Sequence, residues 1–498
     1  MSDRFRHWRL RAYATRMITF SFLALTTLLV LLNAAFCRGQ QSIGQQATLV
    51  FKLVTGFIAG CMIIGISLTY QRSADWLKRL PAAHYLLIFL SINFCLQLLV
   101  LAWLNVHPSW DFGLVIRLGA DQLVKTGYLN DYFTRYTNNI FLALLLAIIG
   151  RLLSPSLFFY QLFNCFCLLS AHYLLYRIAD RLYGEGTAKL SLLASTLSFP
   201  FIFYTPIAYT DTISLPFVLL PLLPMINGQG KLRLDFPAIV GTASLFALCP
   251  LVKGTLIILP IAYSIVLLLH LRHWRRIYCL IPLALFFAAT ILLHLLAYGA
   301  GWLNPEQVAE NQFPITHWLM MGENHWTNGK YSHHDEALTG LLIHSHSRHQ
   351  VETMELQETA RRIRSRGVTG NLSFFTEKLA ITWTDGSFYS LNCLRRFPVR
   401  PQVIHALTTG RLSPFTQGVA RIELIILIVG LFLSALATRR QSPRPIDFFL
   451  QLTLIGIFFF LLIWETRSRY LVSFLPYFIL LSISGYRQFS CRANSERL

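Results

Sequence analysis

Residues 84–111 read HYLLIFLSINFCLQLLVLAWLNVHPSWD. The stretch begins with the apolar run 84–104, and a Trp-Asp pair, Trp110–Asp111, follows within a few residues. Lipid offers the backbone no hydrogen bonds, so an apolar stretch of roughly 20 residues predicts a helix that crosses the membrane. A carboxylate just beyond the end of such a helix is a candidate for chemistry at the membrane surface.

The same apolar character runs through the whole chain of 498 residues. Apolar types make up 54% and charged types only 13%, about half the roughly 25% of ordinary soluble proteins. Lys and Arg number 43 against 23 Asp and Glu, which leaves a net charge of +20. This composition predicts an all-α polytopic membrane protein and excludes a disordered chain or a small disulfide scaffold. Without a basic soluble domain, binding of nucleic acid is not expected.

Twelve apolar runs are candidate membrane-spanning helices. They are 17–36, 47–70, 84–104, 157–176, 188–208, 213–226, 237–251, 255–271, 277–298, 421–438, 446–464 and 469–486. The first run follows five arginines and is long for the apolar part of a signal peptide, so we expect it to remain as an uncleaved first helix.

A thirteenth apolar run, 138–153, is assigned by the distribution of basic residues. If it does not cross, the cytoplasmic segments hold 21 Lys and Arg, whereas the short outer loops hold four. If it crosses, this bias collapses, contrary to the positive-inside rule. We therefore expect 138–153 to lie on, or dip into, the outer face, with both termini cytoplasmic in a plasma-membrane protein. Segments 105–156 and 299–420 then face outward.

This arrangement predicts one membrane domain with two outward elaborations. The expected parts are two appended helices (1–83), a membrane core with the outer loop 105–156 (84–298), an extracytoplasmic segment (299–420) and C-terminal helices (421–498). No internal repeat of fixed period is evident.

Five charged residues at the predicted outer boundary are candidates for chemistry. Asp111 follows the third span, and Asp211 lies in a proline-flanked turn where the helix is interrupted. Lys253 stands alone between two apolar runs, and Arg467 and Arg469 occupy a tight outer turn. Arginines on that side oppose the positive-inside trend, and the guanidinium fork suits phosphate. Together the five suit a lipid-linked phosphate substrate.

Each candidate also has a purely structural interpretation. Asp111 could be a solvated residue in an interfacial turn, and Asp211 could cap the next helix. Lys253 could extend its ammonium to the membrane surface. The arginines could pair with Glu465 in the same turn.

Metal ligands are not evident in the sequence. The nine cysteines include no C-x-x-C spacing, so a structural zinc site is not expected. The histidines of segment 299–420 lack nearby cysteines and are interpreted as solvated. We expect no cofactor; a divalent metal is conceivable but unsupported.

The order of these features resembles the GT-C glycosyltransferases that use polyprenyl-phosphate sugars, such as protein O-mannosyltransferases and lipid A aminoarabinose transferases. The resemblance is carried by Trp110–Asp111 after an early span, by the surface-lying helix 138–153 and by the Tyr-x-Asp turn Tyr209–Asp211. This chain differs from that family in that the acid, Asp111, follows the third span rather than the first. No second acid adjoins Asp111, which puts a metal bound by paired acids in doubt.

A narrower resemblance is to multi-pass GT-C-like proteins of Gram-positive bacteria. Residues 132–139 (YFTRYTNN) are similar to their YF.RYPNN stretch, with Thr137 at the usual proline. A His…Met-Met-Gly…Gly-x-Tyr…Asp stretch corresponds to His317 through Asp335, and a Glu-x-Arg-x-Arg-Tyr turn to Glu465 through Tyr470.

The resemblance implies an inverting glycosyltransferase on the outer face. Asp111 would be the base, Asp211 would orient the sugar or assist the base, and Lys253, Arg467 and Arg469 would hold the donor phosphate. The substrate-binding residues it implies are Asp131, Tyr132, Arg135, Asn138, Tyr209, His317, Met321, Tyr331, Asp335, Glu465 and Tyr470. The implied partners are a polyprenyl-phosphate-linked sugar, membrane lipids, and a glycan, glycolipid or protein acceptor.

Two other functions remain open from the sequence. A transporter or flippase of a lipid-linked or small substrate would also use proline-interrupted spans and buried charges. A glycan polymerase or ligase would use the same lipid-linked donor.

Overall fold

The computed structural model describes residues 2–38, 45–440 and 443–495. Within these ranges the regular structure is helical, and the only strand-like pairings are the isolated bridges Val106–Pro398 and Ile226–Leu232. The all-α prediction is therefore confirmed. Parts of the predicted loop 37–46 and of the predicted cytoplasmic segments 1–16, 439–445 and 487–498 lie outside the described residues.

The described chain forms 24 α-helices. In order they are α1 (Ser2–Ala35), α2 (Gln45–Lys78), α3 (Ala82–Trp103), α4 (Trp110–Leu114), α5 (Asp121–Lys125), α6 (Tyr132–Arg135), α7 (Ile140–Leu152), α8 (Leu157–Tyr183), α9 (Glu185–Thr196), α10 (Phe199–Phe203), α11 (Thr210–Leu219), α12 (Leu222–Met225), α13 (Phe236–Val252), α14 (Ile258–His270), α15 (Ile281–Gly299), α16 (Pro305–Asn311), α17 (Ile315–Gly322), α18 (His333–Ser345), α19 (Arg348–Trp383), α20 (Ser390–Leu394), α21 (Pro401–Thr408), α22 (Ser413–Arg440), α23 (Pro445–Ile463) and α24 (Leu475–Ser495). Tighter or wider turns of helix extend several of them, at Val115–Ala120, Thr137–Asn139, Gly254–Ile257, His273–Leu280 and Ser468–Phe474.

Eight helical stretches in the described ranges are long and apolar enough to cross a membrane. They comprise all or most of α1, α2, α3, α8, α15, α22, α23 and α24. The predicted spans 213–226, 237–251 and 255–271 form shorter apolar helices of 10–17 residues. The polytopic helical architecture is thus confirmed, whereas the count of twelve crossings stays a prediction.

The predicted span 188–208 is not one helix. It is divided into α9 and α10, which are separated at Leu197 and Ser198. Pro200 lies in the first turn of α10 and has no N–H to donate to the carbonyl of Thr196, so the helical hydrogen bonding is weakened at this point.

The run 138–153 does form a helix, α7, preceded by one tight turn. Its thirteen residues rise about 20 Å at 1.5 Å each, less than the roughly 30 Å of a bilayer core. Leu142, Ala143, Leu146 and Ala147 on its inner face are buried in the protein. Its placement relative to the membrane stays a prediction.

The first two helices pack against the last ones, chiefly α22 and α24. Arg421, buried in α22, donates to the carbonyls of Asn33 (2.7 Å) and Phe36 (3.1 Å) at the end of α1 and to the Thr55 hydroxyl (3.1 Å) of α2. The helices α22 and α24 approach so closely that a Cβ on Gly485 would lie 2.1 Å from the Gly430 carbonyl oxygen. Small residues at such a crossing permit close backbone packing.

Helices α16–α19 pack together into a helical unit with its own buried ion pairs. Asp335 accepts two hydrogen bonds from Arg362, at 2.7 and 3.0 Å, and Glu323 pairs with Arg366. The unit docks on the end of α23, where the Trp318 and Trp464 rings stack at 5.8 Å. We call this end of the helix bundle the loop end. It is the end at which α3 terminates and α24 begins.

Candidate active site

Asp111 lies in the first turn of α4, on the chain that leaves α3. The preceding residue, Trp110, has a left-handed φ of 46°, an uncommon conformation for a bulky residue. The Asp111 side chain is 42% exposed, and its carboxylate accepts a hydrogen bond from the Tyr132 hydroxyl at 3.3 Å. It also lies 3.7 Å from the Arg469 guanidinium. The carboxylate is therefore both accessible and oriented by two partners.

Tyr132 is itself fixed by a second residue of the same segment. The Asn139 amide donates to the Tyr132 hydroxyl oxygen at 2.7 Å. Burial, together with the nearby Asp111 carboxylate, raises the pKa of Tyr132 well above its usual value. The hydroxyl therefore keeps its proton and can donate it to Asp111. Asn139 was not among the predicted site residues, although it belongs to the YFTRYTNN stretch.

Arg469 lies among three aromatic rings. Its guanidinium carbon is 4.7 Å from the Trp110 ring, 5.4 Å from the Tyr470 ring and 5.8 Å from the Tyr209 ring. The Trp110 and Tyr209 rings meet edge to face at 5.0 Å, so the two predicted acid motifs share one aromatic wall. The Arg469 Nε is buried without a hydrogen-bond partner in the described chain. A polar donor left unpaired in this way can donate a hydrogen bond to a ligand oxygen.

Asp211 and Lys253 form a buried ion pair beneath this wall. The Lys253 ammonium donates to the Asp211 carboxylate at 2.7 Å and to the Ser473 hydroxyl at 3.1 Å. Only 6% of the Lys253 side chain and 1% of the Asp211 side chain are exposed. The Tyr470 ring lies 5.6 Å from the ammonium. Lys253 is thus already paired with a carboxylate, unlike the free cation that the sequence suggested.

Two further residues complete the cluster and escaped sequence reasoning. The Tyr389 hydroxyl accepts hydrogen bonds from Arg467 and, at 3.3 Å, from Arg396. Arg396 also lies 5.6 Å over the Trp110 ring. Tyr389 is in the left-handed region at φ 69°, which costs about 1–3 kcal/mol and is typical of functional loops. The run of arginines at 395–396 was the only sequence signal for this part of the site.

The Asp385 carboxylate holds the loop of Tyr389 against the Arg467–Arg469 turn. It accepts hydrogen bonds from the Tyr389 backbone N–H at 2.8 Å and from the Ser468 hydroxyl at 2.6 Å. Within the turn, Glu465 accepts from the Tyr470 hydroxyl at 2.9 Å and lies 3.6 Å from Arg467. The structural interpretation that Glu465 pairs with an arginine therefore applies to Arg467. Arg469 instead lies near the Asp111 carboxylate.

Tyr331 is connected to residues 105–156, the first loop segment, through a carboxylate that the sequence did not single out. Glu336 accepts hydrogen bonds from the Tyr331 and Tyr136 hydroxyls, the latter at 2.8 Å. Burial and this carboxylate raise the pKa of both tyrosines. The Tyr136 ring packs 5.0 Å from Tyr132, so this triad borders the Asp111 cluster.

His317, Met321 and Asp335 lie deeper, inside the helical unit α16–α19. All three are buried. The His317 Nδ1 is hydrogen-bonded to the Thr339 hydroxyl at 2.7 Å, and burial lowers the pKa of His317 to about 4. The Asp335 carboxylate is occupied by Arg362 and Asn324, and these partners lower its pKa despite the burial. The structure does not bring these three residues to Asp111.

The remaining predicted residues of the first loop segment lie at the surface. Asp131, Arg135 and Asn138 are exposed. The Asn138 amide donates to Asn139 at 3.4 Å. Across the described ranges, no group of three or more His, Cys, Asp or Glu is arranged to hold a metal ion.

An all-helical chain with eight long apolar helices is an integral membrane protein, and its polar cluster lies at one end of the bundle. A family profile described as conserved hypothetical integral membrane protein matches residues 8–488. The chain belongs to this family. A comparison with curated proteins finds no match.

Two solved structures are similar to the chain in outline. One is the archaeal oligosaccharyltransferase AglB from Archaeoglobus fulgidus, in complex with an inhibitory peptide and a dolichol-phosphate (14% identity, TM-score 0.41, 85% of this chain and 51% of that chain). The other is ArnT from Cupriavidus metallidurans bound to undecaprenyl phosphate (11% identity, TM-score 0.35, 82% of this chain and 78% of that chain). The chain thus spans about half the length of the archaeal enzyme.

Proposed function

We propose that the protein is a membrane glycosyltransferase that moves a sugar from a polyprenyl-phosphate donor to an acceptor hydroxyl on the extracytoplasmic face. The observation that supports this most directly is the accessible Asp111 carboxylate 3.7 Å from Arg469. Arg467 and Arg396 share the neighbouring Tyr389 hydroxyl. A base beside a group of arginines suits a reaction in which a hydroxyl loses a proton while a phosphate leaves.

In the proposed reaction the acceptor oxygen bonds to the anomeric carbon as the bond from that carbon to the phosphate oxygen breaks. The configuration at the carbon inverts. The hydroxyl proton passes to Asp111, and the electron pair of the breaking bond stays on the polyprenyl phosphate. Arg467 and Arg469 offset the charge that develops there, because guanidinium groups bind phosphate oxygens strongly.

The other site residues are assigned supporting parts in the proposal. Tyr132 orients the base. The pair of Asp211 and Lys253 supports Tyr470 and Arg469 from below, because its ammonium already has a carboxylate partner. Tyr331, with Glu336, borders the acceptor side. The glycan, glycolipid or protein that supplies the hydroxyl approaches over the exposed residues of the first loop segment.

The experiment uses the full-length protein in lipid nanodiscs. A panel of undecaprenyl-phosphate hexoses and pentoses is supplied with a cell-envelope extract as acceptor, and released undecaprenyl phosphate is measured. Asp111→Asn should lower turnover by about 10²–10⁴-fold, the usual contribution of a general base. Glu310→Gln removes an exposed carboxylate of the second loop segment, residues 299–420, and should leave turnover unchanged. Full transfer by folded Asp111→Asn protein contradicts the assigned base.

The alternative of a transporter or flippase is separated by a second measurement. Fluorescent undecaprenyl-phosphate sugar is followed across the bilayer of proteoliposomes. Movement of the lipid without any sugar transfer by wild-type protein favours the transporter. Side-specific labelling of single cysteines tests the proposed topology: Lys330→Cys should react from outside and Asp180→Cys from inside.

A further inference from the structure

The segment 395–400 is joined by backbone hydrogen bonds to the chain that leaves α3. The Val399 N–H donates to the Asn105 carbonyl at 2.9 Å, and the His107 N–H donates to the Phe397 carbonyl at 2.9 Å. This pairing holds the segment at the end of α3, where a membrane-crossing helix reaches the loop end of the bundle. The side chains of the segment are therefore presented at the edge of the apolar surface.

Two arginines of this segment connect the edge of the bundle to the Asp111 cluster. Arg400 is exposed and places its guanidinium carbon 4.4 Å over the ring of Trp103, the last residue of α3. Arg396, four residues earlier, is partly buried and reaches the Tyr389 hydroxyl and the Trp110 ring. The segment thus carries one cation at the helix end and another inside the site.

The surroundings of Arg400 are apolar and exposed. Trp103 is 53% exposed and Phe397 is 65% exposed, and a tryptophan at a helix end is typical of the boundary between membrane and water. Phe397 is held in the left-handed region at φ 57°, a strained conformation that the pairing with His107 maintains.

The charged residues of the segment 395–400 are all arginines. Between Asp385 and Glu423 the sequence contains no Asp or Glu. In the neighbouring helices the buried carboxylates Asp335 and Glu323 are paired with Arg362 and Arg366. A surface that combines exposed aromatic groups with arginines is complementary to an anionic lipid headgroup whose tail stays in the bilayer.

We propose that Trp103, Arg400, Phe397 and Arg396 form an entrance strip that leads the phosphate headgroup of a membrane lipid from the bilayer edge to Arg467 and Arg469. The inference rests on the proposed function, since it names the route by which the polyprenyl-phosphate donor reaches the site. Arg400 binds the phosphate first, beside Trp103. Arg396 then binds it next to Tyr389, while the polyprenyl tail stays in contact with α3.

The test measures lipid binding rather than catalysis. Undecaprenyl phosphate is titrated into the purified full-length protein in detergent, and the bound fraction is read by native mass spectrometry. Arg396→Gln should weaken binding about 10-fold or more, as expected for a hydrogen bond to a charged group. Arg400→Gln should weaken it about 3- to 5-fold, because water screens the exposed guanidinium. Arg364→Gln removes an exposed arginine of α19 and should bind as wild type. Arg396→Lys should recover part of the affinity, which a general loss of folding would not allow.

Three further probes separate the outcomes. Undecaprenol, which lacks the phosphate, and inorganic phosphate should both bind far more weakly than undecaprenyl phosphate. Wild-type affinity in both Arg400→Gln and Arg396→Gln, with loss in Arg467→Gln, overturns the entrance strip and leaves the proposed function standing. Equal binding of undecaprenol and undecaprenyl phosphate by the wild type overturns both. Equally tight, Arg400-dependent binding of phosphatidylglycerol overturns the strip as a donor route.

Discussion

Replacement of Asp211 by Asn, with Lys253 retained, leaves a buried ammonium without its carboxylate. Its remaining partners are the Ser473 hydroxyl at 3.1 Å and the Tyr470 ring at 5.6 Å. The converse change, Lys253→Met, leaves a buried carboxylate whose Oδ2 already has no hydrogen-bond partner in the described chain. Each single change therefore isolates a charge that the protein has removed from water.

The expected magnitude follows from the burial of the pair. Removal of one partner of a buried ion pair costs about 3–5 kcal/mol, whereas replacement of both by neutral side chains is often close to neutral. We therefore expect either single variant to lose more stability than the double variant Asp211→Asn/Lys253→Met. At roughly 1–2 °C per kcal/mol for a chain of this size, each single variant should melt about 3–10 °C below the wild type.

The assay is thermal unfolding in one detergent, with all four proteins of the double-mutant cycle measured side by side. A matched control is the pair of Lys78 and Asp75, which has a similar separation of 3.1 Å but side chains that are 56% and 62% exposed. Its single variants, Lys78→Met and Asp75→Asn, should shift stability by less than about 1 kcal/mol. Additive losses in the buried cycle, or single variants within 1 °C of the wild type, would refute the reasoning.

Three further predictions concern the site and the second loop segment. Arg469→Lys keeps the charge but loses the planar fork that stacks on Trp110, so turnover of the undecaprenyl-phosphate sugar should fall about 10- to 100-fold; unchanged turnover would show that charge alone suffices. Tyr132→Phe removes one hydrogen bond to Asp111 and should lower kcat about 3- to 10-fold while stability changes by no more than about 1 kcal/mol; a large loss of melting temperature instead would mark the hydroxyl as structural. Burial lowers the pKa of His317 to about 4, against about 6.5 in an unfolded chain, so the unfolded state binds more protons between these values. The free energy of unfolding is therefore not reduced by His317 above pH 6.5. As the pH falls from 6.5 to 4, it decreases by up to about 3 kcal/mol, because the unfolded state takes up the proton. His317→Gln should lack this pH dependence, so its melting temperature should fall less than that of the wild type between pH 6.5 and 4. Parallel curves for the two proteins would contradict the lowered pKa of His317.

The helical, membrane-crossing character of the chain could be predicted because hydropathy is a local property. The run 84–104 corresponds to α3 and 446–464 to α23, each within two residues at either end. The run 188–208 shows where the reasoning fails. Its apolar composition suggests one span, but the chain forms two helices, and Pro200 at the start of the second has no N–H to continue the hydrogen bonding of the first.

The site could be predicted in part. Asp111 and Arg469 were singled out because charges at the end of an apolar helix are costly without a partner, and the structure places them 3.7 Å apart. Tyr389 could not be found in this way, because a tyrosine in a polar loop carries no local signal. Its position depends on Asp385, which binds both its backbone and Ser468. Likewise the sequence gives no sign that Lys253 is paired with a carboxylate, because its partner Asp211 lies 42 residues away.

The sequence by itself determined that the chain is a helical membrane protein and which few charged residues lie at the ends of its apolar runs. Both depend on the free energy of transferring individual side chains and peptide groups from water to lipid. This free energy is set by the type of each residue and not by its tertiary contacts. The tertiary structure alone decided which of those charges neutralise one another and which stay accessible. That depends on distances between helices far apart in the chain: Lys253 is paired beneath the site, while Arg396, Arg467 and Arg469 gather around Tyr389 and Trp110 beside Asp111.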